Sequence, residues 1–182
     1  MNGFDAAPVT IRPMRREDVE ALAGWERHAD PRFAQYDVGP LTPEEGERLW
    51  RALSEPPARR RPFVAMIGER VVGQILLRPD PADAATAELG IMVDPALIGQ
   101  GLGRRILRIF AGYCAENRFK KLTLEVDADN ERAIRAYRAA GFVARGERTA
   151  PPDAGAAPVR ILRMETELPS KPFTEREACE RP

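Results

Sequence analysis

The sequence has little histidine, cysteine or lysine, and each scarcity removes a class of function. His28 is the single histidine, which excludes a histidine-rich metal site and argues against a Ser/His triad. The two cysteines, Cys114 and Cys179, lie far apart and match no metal or redox spacing. Lysine occurs only at Lys120, Lys121 and Lys171, a bias toward arginine that reads as coding preference and carries no chemistry. Net charge is missing too, because 28 basic residues balance 28 acidic ones. Phosphate-backbone binding draws on a basic excess, so no nucleic-acid partner is expected. No apolar run approaches the ~20 residues that span a bilayer, and the opening MNGFDAAPVT lacks a signal-peptide core. The expectation is a soluble, cytoplasmic protein with no metal and no membrane partner.

What is present suits one domain with its own core, since the chain has 182 residues. Val9–Arg12 reads as a short strand closed by Pro13, and Arg15–Arg27 carries Val19, Leu22 and Trp25 at helical spacing. After a loop from Asp30 to Pro40, Thr42-Pro43-Glu44-Glu45 is a helix start: a capping hydroxyl, proline at the first position and acids in the first turn. That helix runs to about Leu53, and Pro56, Pro57 and Arg59–Arg61 break it. Phe63–Ile67 and Val71–Leu77, joined by Gly68-Glu69-Arg70, read as a hairpin, and Thr86–Val93 as a third long strand. A helix to Asn117, a strand over Leu122–Asp127, a helix over Asn130–Ala140 and a left-handed cap at Gly141 follow. Phe142 opens a further strand, Thr149–Pro158 reads as a mobile loop, and Ile161–Leu168 is the last strand. This order predicts one mixed α/β domain over residues 1–168 and a disordered tail over 169–182.

Two motifs carry chemistry. In Glu88–Leu107, ELGIMVDPALIGQGLGRRIL, a strand ends at Val93-Asp94-Pro95 and Gly99, Gly101 and Gly103 lead into a helix. Glycines let backbone approach a ligand closely, and successive N–H groups at a helix start suit an anion such as a pyrophosphate. Arg104, Arg105 and Arg108 in the first turns would reach further phosphates. The turn lacks the Gly-Lys-Ser/Thr of a P-loop, and it comes too late in the chain, with the wrong glycine spacing, for a Rossmann fingerprint. Glycines that merely turn the chain are the bland alternative. The second motif is Leu124–Phe142, LEVDADNERAIRAYRAAGF.

Val-x-Pro before the glycine turn, with Asn130, Tyr137 and Gly141-Phe142 on the next elements, resembles the GNAT superfamily of acetyl-CoA-dependent N-acetyltransferases. The resemblance extends from about Val9 to Leu168. It implies a twisted, centrally splayed mixed sheet of about six to seven strands flanked by about four helices. It also implies direct acetyl transfer from acetyl-CoA to a primary amine. By the resemblance, the backbone of Ile91, Met92 and Val93 would hold the pantetheine arm, and Gly99, Gln100, Gly101, Leu102, Gly103 and Arg104 the pyrophosphate. Asn130 would contact the cofactor, and Tyr137 would protonate the departing thiolate. Ile98 stands where the family prefers Arg or Gln, which weakens cofactor binding without abolishing it, because most phosphate contacts come from backbone.

An attacking amine must be neutral, so a base is needed. Glu88 and Glu125 are the candidates, each in an otherwise apolar strand where a carboxylate needs a partner or a task. Both stay open, as do a water chain and an acceptor that arrives neutral. Taken alone, Tyr137 reads as a half-buried packing aromatic, and Asn130 seven residues before it turns the reading to the acid role. His28 reads as a surface residue near a helix end and Cys114 as packing, while Asp30, Tyr36, Asp37, Glu44 and Glu45 form either an acceptor wall or a solvated face. The acceptor would be a small-molecule or peptide amine; aminoglycoside-type and protein N-terminal acetylation are the alternatives, and a homodimer is left open. From other classes, a CoA-binding regulatory module without turnover and a nucleotide-binding domain of another sort are the rivals.

Overall fold

The computed structural model describes residues 7–29, 37–54, 60–150 and 158–169. Most of the Asp30–Pro40 loop, the break at Pro56–Arg59, most of Thr149–Pro158 and the tail from residue 170 lie outside the described residues. The elements are β1 (Val9–Pro13), α1 (Asp18–Ala23), α2 (Pro43–Ser54), β2 (Arg61–Ile67), β3 (Arg70–Pro79), β4 (Thr86–Val93), α3 (Leu102–Glu116), β5 (Lys121–Asp127), α4 (Glu131–Ala139), β6 (Val143–Ala150) and β7 (Val159–Glu167). Their order is the one expected from the sequence. The strands form a seven-stranded mixed sheet in the order β1-β2-β3-β4-β5-β7-β6. No helix among the described residues is long and apolar enough to cross a membrane. The chain divides into two compact units, Met1–Arg78 with Ile91–Ile106, and Pro79–Gly90 with Leu107–Pro182.

In the first unit β1 pairs antiparallel with β2, and β2 with β3. Gly68 takes a positive φ of +58° in the two-residue turn of the β2–β3 hairpin, a conformation that glycine adopts without strain. The core gathers Met14, Val19, Leu22, Trp25, Leu53, Val64, Met66 and Val71. At the head of α2 the Thr42 Oγ1 accepts from the Glu45 N–H (3.3 Å) and the Glu45 carboxylate accepts from the Thr42 N–H (2.8 Å). This reciprocal cap satisfies two backbone donors that a helix start leaves open.

Helix α1 is much shorter than the periodicity over Arg15–Arg27 predicts. At its start, the Asp18 carboxylate accepts from the Arg15 N–H at 2.7 Å and from both Arg12 terminal nitrogens at 2.7 Å, a cap that ties the helix start to β1. After it, the Ala23 carbonyl accepts from the Leu41 N–H at 3.3 Å, so a returning segment takes an acceptor that a longer helix would use. Trp25 is buried all the same. Its apolar spacing reflects burial by tertiary packing beyond the helix end.

In the second unit β4 and β5 run parallel, but their ladder spans only Thr86↔Lys121, Ala87↔Leu122 and Glu88↔Thr123. β5 pairs antiparallel with β7 along its whole length, and β7 with β6. Leu122, Leu124, Val126 and Met164 are buried, whereas Glu125 is exposed. β6 is exposed along nearly all its length. Its arginines pair across the sheet, Arg145 with Glu165 at 2.8 Å and Arg148 with Glu125 at 2.5 Å, and charge of this kind discourages edge-to-edge association. Gly141, with φ +95°, turns the chain out of α4 as the sequence predicts.

Candidate active site

β4 ends in half-buried Ile91, Met92 and Val93, and Met92 packs against the core of the first unit. Asp94 then starts a 3-10 turn over Pro95–Leu97, its Oδ1 accepting from the Ala96 N–H at 3.0 Å. Pro95 suits the first position of such a turn, where no backbone donor is needed. Gly99 (φ +87°) and Gly101 (φ +74°) both lie in the left-handed region. A Cβ added at either would meet nothing within 4 Å. The turn therefore opens outward, and its glycines serve backbone conformation and outside access, with no neighbour inside the molecule to demand them.

Between them the Gln100 Oε1 is buried with no hydrogen-bond partner. Buried acceptors are normally paired, and this oxygen calls for a donor, which a pyrophosphate does not offer. Leu102 is buried and anchors the start of α3, Gly103 lies under Val93, and Arg104 is exposed. The first helical N–H groups point along the turn, where a pyrophosphate would be held by backbone donors and the positive end of the helix dipole. These residues fit a CoA pyrophosphate. Arg105 instead donates to the Ala7 carbonyl at 2.5 Å, which ties the helix start to the chain before β1.

Three residues that support this turn escaped the sequence reading. At Gly73 in β3 a Cβ would fall 2.9 Å from the Ile106 Cδ1 and 3.2 Å from the Met92 carbonyl, so glycine is what lets α3 and β4 lie this close to β3. A glycine within the apolar run Val71–Leu77 was the available signal. Asp94 forms a 2.6 Å ion pair with Arg70 from the β2–β3 hairpin. Asp before Pro hinted at the capping role, and nothing in the sequence pointed to Arg70.

The second unit carries Glu88, Glu125, Asn130 and Tyr137. Asn130 caps α4, its Oδ1 accepting from the Ala133 N–H at 3.1 Å, so this oxygen is committed to structure and only the amide nitrogen is left over from the cap. Tyr137, about two turns later, is buried to 8% exposure with its ring 5.9 Å from that of Phe142. Glu88 is half-buried and registers with Thr123. Because side chains alternate along a strand and paired residues share a face, Glu88, Thr123 and Glu125 project from the same side of the sheet. Glu125 is engaged by Arg148 through two hydrogen bonds, of 3.1 and 2.5 Å. Hydrogen bonding to Glu125, then its charge, holds the Arg148 guanidinium above its ordinary pKa, with a further contribution from Glu88.

His28 and Cys114 take other roles. Asp37 accepts from the His28 backbone N–H at 2.7 Å and lies 2.6 Å from its Nδ1, contacts that hold the Asp37 carboxyl below its usual range. Asp30 and Tyr36 lie outside the described residues. Glu45 is the α2 cap, as described above. Burial pushes the Cys114 thiol up to about 12, which suits packing and not nucleophilic attack. Among the described residues no group of three or more His, Cys, Asp or Glu is placed to hold a metal ion.

Comparison with known proteins agrees with this layout. The family model of the acetyltransferase (GNAT) domain matches residues 9–143. The N-alpha-acetyltransferase RimI of Mycobacterium tuberculosis is 31% identical over 140 residues, covering 76% of this chain and 80% of that protein. The spermidine N(1)-acetyltransferase of Escherichia coli K12 is 29% identical over 144 residues, covering 78% and 76% respectively. The crystal structure of spermidine N-acetyltransferase from Vibrio cholerae in complex with CoA and spermine has the same fold, with a TM-score of 0.71 at 20% identity over 88% of this chain and 95% of that one. The chain belongs to the GNAT acetyltransferase family, and its reaction is acetyl transfer from acetyl-CoA to an amine.

Proposed function

We propose that residues 1–168 act as one acetyltransferase domain that acetylates a small-molecule primary amine by direct attack on bound acetyl-CoA. The observation that carries the cofactor reading is the run from Ile91 to Arg104. The turn at its end presents two left-handed glycines with open space above them. In this reading the backbone of Ile91, Met92 and Val93 pairs with the pantetheine arm. Gly99, Gln100, Gly101, Leu102, Gly103 and Arg104 hold the pyrophosphate, and the Asn130 amide nitrogen gives a further contact.

Glu88 is the general base. Glu88 lies on β4, the strand that runs into the glycine turn, and Glu125 is the alternative. Glu88 takes the ammonium proton directly or through one water, the neutral amine attacks the thioester carbonyl, and the tetrahedral oxyanion is stabilised by a backbone N–H near Met92 or Val93. Tyr137 then protonates the departing thiolate, and the proton that the new amide nitrogen sheds restores the Tyr137 hydroxyl through solvent. Tyr137→Phe keeps the ring and its packing on Phe142, so melting temperature and acetyl-CoA affinity should stay near wild type. General acid catalysis is worth roughly 10²–10⁴ in rate, and kcat should fall at least tenfold. A large drop in melting temperature with turnover intact would make the hydroxyl a structural donor.

The small-amine acceptor rests on the spermidine acetyltransferase relative. The second reading, a protein N-terminal amine, rests on the 31% identity to RimI. Competition between a polyamine and a short peptide with a free N-terminus, read as thiol release, separates the two.

A further inference from the structure

Asp94 is a buried anion at the foot of a turn whose ligand, in the reading above, is also an anion. Its side chain is only 5% exposed. One oxygen accepts from the Ala96 N–H at 3.0 Å and the other from the Arg70 Nη2 at 2.6 Å. The Asp94 N–H donates to the Val72 carbonyl at 3.0 Å, and its own carbonyl accepts from the Leu97 N–H at 2.8 Å. Asp94 is thus fixed to β3 by backbone and to the β2–β3 hairpin by charge, and it holds the 3-10 turn that delivers Gly99 and Gly101. Leu97 is buried just before them, so a shift of Asp94 has little slack in which to dissipate before it reaches the glycines.

We propose that the Arg70–Asp94 pair is a positioning device for the cofactor turn, in which Arg70 neutralises the Asp94 carboxylate and so keeps the turn hospitable to a pyrophosphate. The inference rests on the assignment of that turn to the CoA phosphates. A buried carboxylate without its cation is strongly unfavourable, and an uncompensated negative charge close to a phosphate site opposes binding. Arg70 itself is about half exposed, at 48%. Truncating it therefore opens little cavity, and it strips the cation from Asp94. A purely structural staple predicts something different, because a staple is not mended by removing its second half.

The test measures acetyl-CoA affinity by calorimetry in Arg70→Ala, Arg70→Lys and Arg70→Ala/Asp94→Asn, with Gly101→Asp as the control for the turn. One lost charge pair at this burial should weaken binding about tenfold in Arg70→Ala. Arg70→Lys restores the charge, and the double variant removes the anion while keeping an acceptor for the Ala96 N–H. Both should return to within about threefold of wild type, a remnant of the size left by one lost neutral hydrogen bond. KM for acetyl-CoA should follow affinity, with kcat at saturation unchanged. Wild-type affinity in Arg70→Ala, or a double variant or lysine variant no better than Arg70→Ala, overturns the proposal. If the double variant does not fold, the lysine–alanine contrast decides alone. Unchanged affinity in folded Gly101→Asp overturns the turn assignment and this inference with it, whereas loss there with no effect at Arg70 overturns the inference alone.

Discussion

Glu88 and Glu125 project from one face of neighbouring strands. Arg148 reaches from the edge strand over β7 to engage Glu125, and the charge of Glu88 also acts on that guanidinium. If Glu88 is the base, Glu88→Gln should lose most turnover at low pH, where an amine acceptor is mostly protonated, and recover as pH rises and solvent takes over deprotonation. The kcat/KM profile of the variant checks this. A loss that is constant across pH would mean substrate positioning, and no loss would move the base to Glu125. Asp18 makes the residue-scale case for stability. Burial by itself would raise its pKa, but hydrogen bonds from the Arg12 side chain and the Arg15 N–H, with both charges, outweigh it and hold the carboxyl below 3.8. A depressed folded pKa gives stability that is present above the unfolded value and lost as pH falls through the folded one. Asp18→Asn should therefore cost about 2 kcal/mol at neutral pH, and denaturation curves of the two proteins should converge below roughly pH 4. A penalty that persists undiminished at pH 3 would assign the effect to packing.

Elements were legible where their determinants are local and obscure where they are distant. The Thr42–Glu45 cap, the Gly68 turn, the glycine run before α3 and the Gly141 cap each lie within a few residues of the geometry they cause, so the sequence alone located them. The end of α1 is set by the segment around Gly39 and Leu41, which returns across the helix terminus from outside the helix itself. Periodicity through Trp25 could not reveal that, because burial and helicity give the same apolar spacing. The site divides the same way. The glycine turn follows from φ and access, whereas the Arg148–Glu125 and Arg70–Asp94 pairs join residues distant in sequence and depend on the completed sheet. A glycine pair tests the α1 account. At Gly39 a Cβ would fall 2.6 Å from both the Leu22 and Trp25 carbonyl oxygens, whereas at Gly24 the nearest atom is an ordinary 3.6 Å away. Overpacking against backbone should make Gly39→Ala lose about 1–3 kcal/mol. Gly24→Ala should be neutral or gain up to about 1 kcal/mol. Equal effects in thermal denaturation would contradict a close approach at Gly39.

At the scale of the whole molecule, the family match and the fold fix the reaction class, and the acceptor is the open specificity question. Two named relatives of similar identity carry names for different amines. The rival that the sequence raised on the strength of Ile98 is a domain that binds CoA without turnover. Ile98 is half-buried beside the turn, and under the proposed backbone hold on the phosphates its replacement of a polar residue would bear on affinity more than on catalysis. The central claim is turnover itself, and it is tested by free-thiol release from acetyl-CoA over a panel of a polyamine, an aminoglycoside and a peptide with a free N-terminus. The account predicts thiol release that requires an amine, one acetylated amine per CoA released, and intersecting double-reciprocal plots as a ternary complex demands. Tight acetyl-CoA binding with no amine-dependent release, or the parallel plots of an acyl-enzyme, would contradict it.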